Sequence, residues 1–503
     1  MSQSVVSVAV VSVNAGMLLP VLAPAVGAAV VLVTDVVAQH LRRVHYGIAL
    51  ASLMLGAAAT VPGVGMVAGD ARQTLCLPGS GQCMYAAGSV ASALQLAILL
   101  AAAVTLLLSW PDDKEQSRGG TAVIVSLVLA ATAGATAVSG ARDLGSWLVA
   151  LELATLPTVA LVALRGARSA ISGAVALLTT ALVSFGLLAL AAALWFTATS
   201  SGFLTPAAAL TVIADPVRRP ILILAVALVV AGIGFKLSLV PFHAWTPEAY
   251  DGAPLPIAAF LASISKIAAL AALLVVIRAI APLGAPVLTS IAIVAALSMT
   301  LGNVMALRQD GVVRLLAWST VAQAGWVVLP LATVSSAAVF ASGAYLLAYV
   351  LATLLAFAVV AALVQTRGAT RARDLTAYRG LVHDHPVLAA ALGLALLSLA
   401  GLPPGILGLV AKVAALRPVV ASELWLLALV AAVNAVLGVA VYLRWLRVIL
   451  AAPDAPPDAG PDVPVAARSL RAHPTTLVAV GFAAVALVLT SLSPQLVLGL
   501  LGP

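Results

Sequence analysis

Residues 232–245 read GIGFKLSLVPFHAW. A lysine, Lys236, stands inside an apolar run, and Pro241 follows it. The surrounding segment, 220–241, is long enough to cross a bilayer core, which takes about 20 apolar residues. Proline removes a backbone donor and crowds the preceding turn. In hydrocarbon such a break survives only where the freed backbone groups meet protein or water. The stretch therefore predicts a membrane-crossing helix, interrupted inside the protein, with a cation beside the break.

The rest of the chain agrees with a membrane setting. Of its 503 residues 63% are apolar and only 8% charged, with mean hydropathy +1.17. Soluble domains carry roughly a quarter charged residues. The composition predicts an all-α, polytopic membrane protein with the lipid bilayer as its surroundings. The net charge of +8 does not point to nucleic acid, because the basic residues are scattered singly or in pairs through short loops. The first charged residue is Asp35, so the basic start of a secretory signal is missing. The longest polar stretch, about 451–473, is too short for a soluble domain.

Fourteen apolar spans are expected, near 14–36, 45–67, 86–109, 119–139, 145–164, 170–196, 220–241, 255–281, 286–306, 313–333, 336–364, 386–414, 420–449 and 474–498. Alternate loops then fall on two sides. One side holds sixteen basic residues: Arg42, Arg43, Lys114, Arg118, Arg165, Arg168, Arg308, Arg314, Arg367, Arg371, Arg373, Arg379, Arg444, Arg447, Arg468 and Arg471. The other holds six: Arg72, Arg142, Arg218, Arg219, Arg278 and Arg417. Positive residues accumulate on the cytoplasmic side, so both termini are expected outside. Cys76 and Cys83 share a short loop on that outer side. An oxidising compartment would allow a disulfide there; two unpaired thiols are the alternative.

The chain contains four lysines against 21 arginines, and three of the four lie within spans. These are Lys236, Lys266 and Lys412. Arginine keeps its proton almost anywhere, whereas a desolvated lysine can exchange its own. Glu152 is the single acidic residue deep in a span, and a lone carboxylate there needs a partner. Lys236 is the natural candidate. One acid cannot pair with three permanently charged cations, so at least one lysine is expected to titrate. A second interruption, Gly401-Leu402-Pro403-Pro404-Gly405, lies seven residues before Lys412. Paired interrupted helices mark inverted-repeat transporters, with the ion site at the breaks. Ser263, Ser265, Ser319, Thr320 and Gln323 are candidate stepping stones for a proton. Serines in apolar helices often bond only to their own carbonyls. His243, at the end of the seventh span, is placed to connect the interior to the cytoplasm; a solvated interfacial histidine is the alternative.

Other chemistry is missing from the pattern. The Gly-x-Gly at 232–234 sits inside a span without the remainder of a nucleotide motif. Cys76 and Cys83 have no Cys or His neighbour at metal-ligand spacing. Neither a redox centre nor a nucleotide or metal site is expected in this chain, so the energy for transport must come from a gradient or a partner.

The run FKLSLVPFHAWTPEAYDGAPLP (235–256) resembles the proton-pumping, antiporter-like membrane subunits of respiratory complex I. Its WTPEAYDGAP form, with Thr246, Tyr250 and Gly252, is closer to the subunit N branch than to M, L or the Mrp-type antiporter subunits. LRQDGVVRLLAWSTVAQAGW (307–326) resembles the family's tenth helix, and SLAGLPPGILGLVAKV (398–413) its broken twelfth. The resemblance covers nearly the whole chain. It implies a single transmembrane domain over 1–503, with spans 1–3 at 14–109 and a last span at 474–498. Two inverted five-helix repeats lie between, at 119–281 and 286–449. It maps the family's relay onto Glu152, Lys236, Lys266 and Lys412, with His243, Gln323, Pro241, Pro403 and Pro404 supporting. Gln323 stands where the family often has histidine, and Trp318 where tyrosine is expected. An amide cannot change protonation, so a relay there would pass through ordered water.

The resemblance also implies partner membrane subunits in a hetero-oligomer. NADH, flavin, iron-sulfur clusters and quinone would be held by other subunits. The setting would be a bacterial cell membrane, and the Ala/Val/Arg-rich composition points to a high-GC bacterium. Protons would enter near the break of the seventh span, reside on Lys236 and Lys266, cross to Lys412 and leave outside. Two rival readings are an Mrp-like cation/proton antiporter subunit and a non-pumping structural subunit.

Overall fold

A computed structural model describes residues 11–38, 41–67, 69–78, 81–110, 120–164, 166–280, 285–333, 335–368, 371–452 and 472–501. Lys114, Arg118, Arg165, Arg468 and Arg471, the Arg371 side chain and most of the polar stretch 451–473 lie outside the described residues.

The chain begins with α1 (Ala15–Val37) and α2 (Arg42–Thr60), then a hairpin of β1 (Arg72–Cys76) and β2 (Cys83–Ala87). Next come α3 (Ser89–Leu108), α4 (Gly120–Gly140), α5 (Leu144–Ala163), α6 (Arg168–Thr199) and the short α7 (Pro206–Ile213). The first interrupted region comprises α8 (Arg218–Leu237), α9 (Trp245–Gly252), α10 (Leu255–Ala262) and α11 (Ile264–Ile280). After α12 (Ala285–Leu307), α13 (Val312–Val328), α14 (Ser336–Arg367) and one turn, α15 (Leu381–Asp384), the second break separates α16 (Pro386–Ala400) from α17 (Ile406–Ala421). The chain closes with α18 (Trp425–Leu450), α19 (Pro474–Leu492) and α20 (Gln495–Leu498).

Among the described residues thirteen helical segments are long and apolar enough to cross a membrane. The α16–α17 pair supplies the remaining crossing of the fourteen expected. Local signals start several of these helices. The Asp143 carboxylate accepts from Ser146 N–H ahead of α5, and the Ser335 hydroxyl accepts from Ala338 N–H ahead of α14. Each satisfies an amide that the first helical turn would leave unpaired.

Burial separates centre from rim. The segments Leu255–Ile280 and Val312–Ala332 have windows 94% buried, against 28% for α1 and α18. The rim exposes leucine, valine and phenylalanine, as a lipid-facing helix does. The buried centre carries Lys266 and Gln323, polar groups that hydrocarbon would not accept.

The two sets of loops separate as the span count requires. At one end, isolated bridges tie Ser12 to Cys76, Tyr85 to Ala141 and Asp143 to Phe203. At the other, Gly311 bridges Asp374, Arg314 pairs with Glu248, Arg373 with Asp251, and Arg444 with Asp310.

Three details differ from the sequence reading. The seventh span, expected over 220–241, stops being helical at Leu237, ahead of Pro241. The eighth, expected as one helix over 255–281, is interrupted at Ser263, whose backbone lies at φ −118°, ψ −80°. The loop after α2 holds a β-hairpin, which the sequence reading did not foresee. Cys76 and Cys83 face each other across it and are joined by a disulfide, which settles the alternative left open above.

Candidate functional site

The first break begins where α8 ends. Ser238 takes a left-handed backbone at φ +65°, and Leu239 N–H reaches back to the Gly234 carbonyl at 2.8 Å. This cap satisfies one carbonyl of the last turn and leaves that of Lys236 free for another donor. The chain then passes through the cis Val240–Pro241 bond and resumes at Trp245.

The Lys236 side chain is 7% exposed and its ammonium contacts Glu152 Oε1 at 2.9 Å and Thr155 Oγ1 at 2.8 Å. Both partners lie on α5, one turn apart, so they share a helix face. The expected Glu152–Lys236 pair is therefore present. Lys266, on α11, donates to the Lys236 carbonyl at 2.9 Å and to the Ser238 hydroxyl. Its ammonium lies 4.7 Å from the centroid of the Trp245 ring, a cation–π arrangement. Ser238 shares a further hydrogen bond with Thr246 at the start of α9. The two lysines are thus linked through one residue's backbone and not through a side chain.

Beside Lys236 a small cavity is lined by Thr155, Thr158, Thr180, Ser184 and Ser265. Of the serines noted in the sequence, Ser265 lines this cavity, while Ser263 bonds to its own helix at the Ala259 carbonyl. The His243 ring packs 5.2 Å from that of Trp318, so the tryptophan lies against this histidine. His243 is half-buried at the break, not fully solvated.

The second break repeats the cap. Gly401 has φ +78°, and Leu402 N–H reaches the Leu397 carbonyl at 2.9 Å. A cis bond joins Pro403 and Pro404. Lys412, on α17, donates to the Ala400 carbonyl and lies 5.7 Å from the Trp326 ring centroid. A side chain on Gly401 would begin 3.2 Å from Lys412 Nζ, so glycine supplies both the left-handed turn and the clearance. Among the described residues no carboxylate pairs with Lys266 or Lys412.

Between the two breaks Ser319, Thr320 and Gln323, noted in the sequence as stepping stones, meet three tyrosines that the sequence reading did not single out. Gln323 receives a hydrogen bond from Tyr345 and donates to Tyr442 at 2.8 Å. Tyr442 also shares a hydrogen bond with Ser319, and Tyr349 one with Thr320. Gln323, Ser319 and Thr320 come from α13, Tyr345 and Tyr349 from α14, and Tyr442 from α18. Tyr345 and Tyr349 are four residues apart in an apolar helix. That spacing puts two hydroxyls on one face and is the signal that could have flagged them. Among the described residues no group of three His, Cys, Asp or Glu side chains comes together.

The comparisons with known proteins bear on this geometry. Residues 141–438 match the family described as NADH:quinone oxidoreductase/Mrp antiporter, TM. "NADH-quinone oxidoreductase subunit N 2" of Streptomyces griseus is 37% identical, over 94% of this chain and 90% of that one. A chain of respiratory complex I from Thermus thermophilus matches with TM-score 0.75 and 31% identity, over 95% of this chain and 98% of that one. A chain of the Mrp complex from a Dietzia species superposes with TM-score 0.80 at 21% identity, over 97% and 96%, and shares the fold.

Proposed function

The chain belongs to the membrane family shared by NADH:quinone oxidoreductases and Mrp antiporters, and on that premise we propose that it is a proton-translocating subunit of an NADH:quinone oxidoreductase. The observation that carries this is the Glu152–Lys236 pair at an interrupted helix, with Lys266 held on the same residue's carbonyl. Electron transfer takes place in partner subunits, which hold the NADH, flavin, iron-sulfur and quinone sites. The subunit sits among other membrane subunits in a bacterial cell membrane, with both termini outside. Its two halves, 119–281 and 286–449, act as inverted repeats.

Glu152 works as the switch. When it lies against Lys236, that lysine holds its proton. When it withdraws, the buried ammonium loses its compensating charge and releases the proton inward. Moving one charge against 100 mV takes about 2.3 kcal/mol, and breaking a buried pair is worth about 3–5 kcal/mol, so one displacement covers one transfer. Lys266 receives the proton next, and Lys412 passes it to the outside. His243 and the breaks at Pro241 and Pro403–Pro404 admit and discharge it.

The test is proton uptake by inverted membrane vesicles containing the assembled complex, with Lys236→Met and Lys412→Met. Each variant is expected to assemble and to lose most pumping. Unchanged proton-to-electron stoichiometry in both would overturn the relay. Ion exchange by the isolated chain in vesicles lacking NADH and quinone would instead favour the Mrp-like reading.

A further inference from the structure

The end of the molecule that carries the β-hairpin is tied together by main chain. Leu75 N–H reaches the Ser12 carbonyl at 2.9 Å, and Ser12 N–H reaches the Cys76 carbonyl at 3.4 Å. The other strand carries the ladder on. Arg142 N–H donates to the Met84 carbonyl at 2.9 Å, and Leu204 N–H to the Arg142 carbonyl at 2.9 Å. Leu144 N–H adds a bond to the Gly202 carbonyl at 2.8 Å. One ladder therefore runs from the N-terminal segment, through the hairpin, to the start of α5 and the loop before α7.

The hairpin is the middle of this ladder and is weak by itself. Each strand has five residues, and an isolated two-stranded hairpin is marginal in water. Leu75 takes a left-handed backbone at φ +56°, a conformation that a residue with a Cβ resists. Two features hold the strands in place. At one end Tyr85 is buried, with Gly140 leaving room for its ring and Gln95 donating to its hydroxyl at 2.6 Å. At the other end the Cys76–Cys83 bond closes the turn, and both cysteines are half-buried. Cys76 is also the residue that receives Ser12, so the bond sits where the N-terminal segment joins the ladder.

We propose that Cys76 and Cys83 are a thiol-oxidation site, served by a disulfide-bearing oxidant outside the membrane, and that their bond latches this ladder. The inference takes its orientation from the reading above and uses no part of the relay. In the exchange both thiols give up their protons and one S–S bond forms between them. The oxidant's own S–S bond breaks, and its two sulfurs take the two electrons and two protons to become a dithiol. An oxidising compartment keeps the product in that state. The latched ladder then holds the outer end of α5, the helix that carries Glu152.

The experiment uses sealed membrane vesicles containing the assembled complex, treated or not with a charged, membrane-impermeant phosphine. They are then denatured and alkylated with a mass-adding maleimide. The chain has only these two cysteines, so its mass shift reads this bond alone. In right-side-out vesicles no shift is expected without phosphine, and a shift at both cysteines with it. A shift in untreated vesicles would overturn the proposal while leaving the orientation untouched. A bond opened only in inverted vesicles, or in neither, would overturn the outside placement, and the first of these would take the proposed orientation with it. The latch is read by amide exchange in the purified complex. Reduction is expected to speed exchange severalfold at Leu75 and Arg142. Cys76→Ser/Cys83→Ser is expected to show the faster exchange already and no response to phosphine. Unchanged protection of the parent on reduction would show that the bond latches nothing.

Discussion

The two interrupted helices look alike in backbone and differ in charge. Each ends in a left-handed cap, Ser238 or Gly401, each contains a cis proline, and each offers a last-turn carbonyl to a lysine. The C-terminal end of a helix carries partial negative charge, so both breaks seat an ammonium by the same means. The first has something more. Its own Lys236 turns outward to Glu152 and Thr155, while the seated cation comes from another helix, α11. At the second break the seated cation, Lys412, belongs to the helix that resumes after the interruption. The difference separates two jobs. A site with a carboxylate can be switched by moving that carboxylate. A site built from main-chain carbonyl and aromatic ring holds a cation without a movable counter-charge.

The strongest way to break this comparison is Glu152→Gln. Losing about 1.4 kcal/mol of stabilisation is tenfold in rate, and a buried pair is worth more than that. Turnover and pumping are expected to fall together by at least about tenfold, with the complex still assembled on native gels. Normal turnover would mean that the first break does not depend on its acid, and the contrast with the second would vanish.

Gly408→Ala probes the second break. A Cβ there would run into the Ser398 carbonyl. Because the obstacle is backbone, helix α16 or α17 must shift, and overpacking of this kind costs about 1–3 kcal/mol or more. The yield of assembled complex is expected to drop sharply. Gly234→Ala at the first break meets only the Phe242 ring, at 2.6 Å, which can turn aside. A larger loss from Gly234→Ala would reverse the ranking of the two breaks.

Ser238→Ala removes the one side-chain hydroxyl bound to Lys266 but leaves the Lys236 carbonyl in place. A single hydrogen bond to a charged group contributes about 1.5–3 kcal/mol, so pumping is expected to slow severalfold without loss of assembly. Unaltered rates would show that the Lys236 carbonyl and the Trp245 ring suffice to seat this lysine, as carbonyl and ring do for Lys412.

Arg373→Ala tests the loop contact that supports the first break. Arg373 donates to the Asp251 carbonyl at 2.7 Å and pairs with its carboxylate at 3.4 Å. Such half-exposed pairs are worth about 1 kcal/mol or less. Amide exchange in 245–252 is expected to rise modestly while pumping changes little. A large loss of pumping would give this strap a role in transport.

The crossings were legible because length and apolarity report them directly, and both proline breaks because proline forbids a continuous ladder. The interruption at Ser263 was not. FLASISKIA contains neither proline nor glycine, so nothing local in it marks a break. The Glu152–Lys236 pair followed from counting, since one buried acid leaves few choices. The tyrosine cluster did not follow, because a tyrosine in an apolar helix reads as packing until its hydroxyl's partner is seen. Tyr442 reaches Gln323 across 119 residues of chain, a distance no local pattern reports. The disulfide was equally undecided, because separation along the chain says nothing of whether two strands bring the sulfurs together.

The seats of Lys266 and Lys412 share a property that bears on genetics. Their acceptors are the carbonyls of Lys236 and Ala400, and every amino acid has a carbonyl. Exchanging a side chain at either position leaves the acceptor in place. An alanine scan across the two breaks will therefore score the side chains, Ser238 included, and pass silently over the carbonyls that seat both lysines.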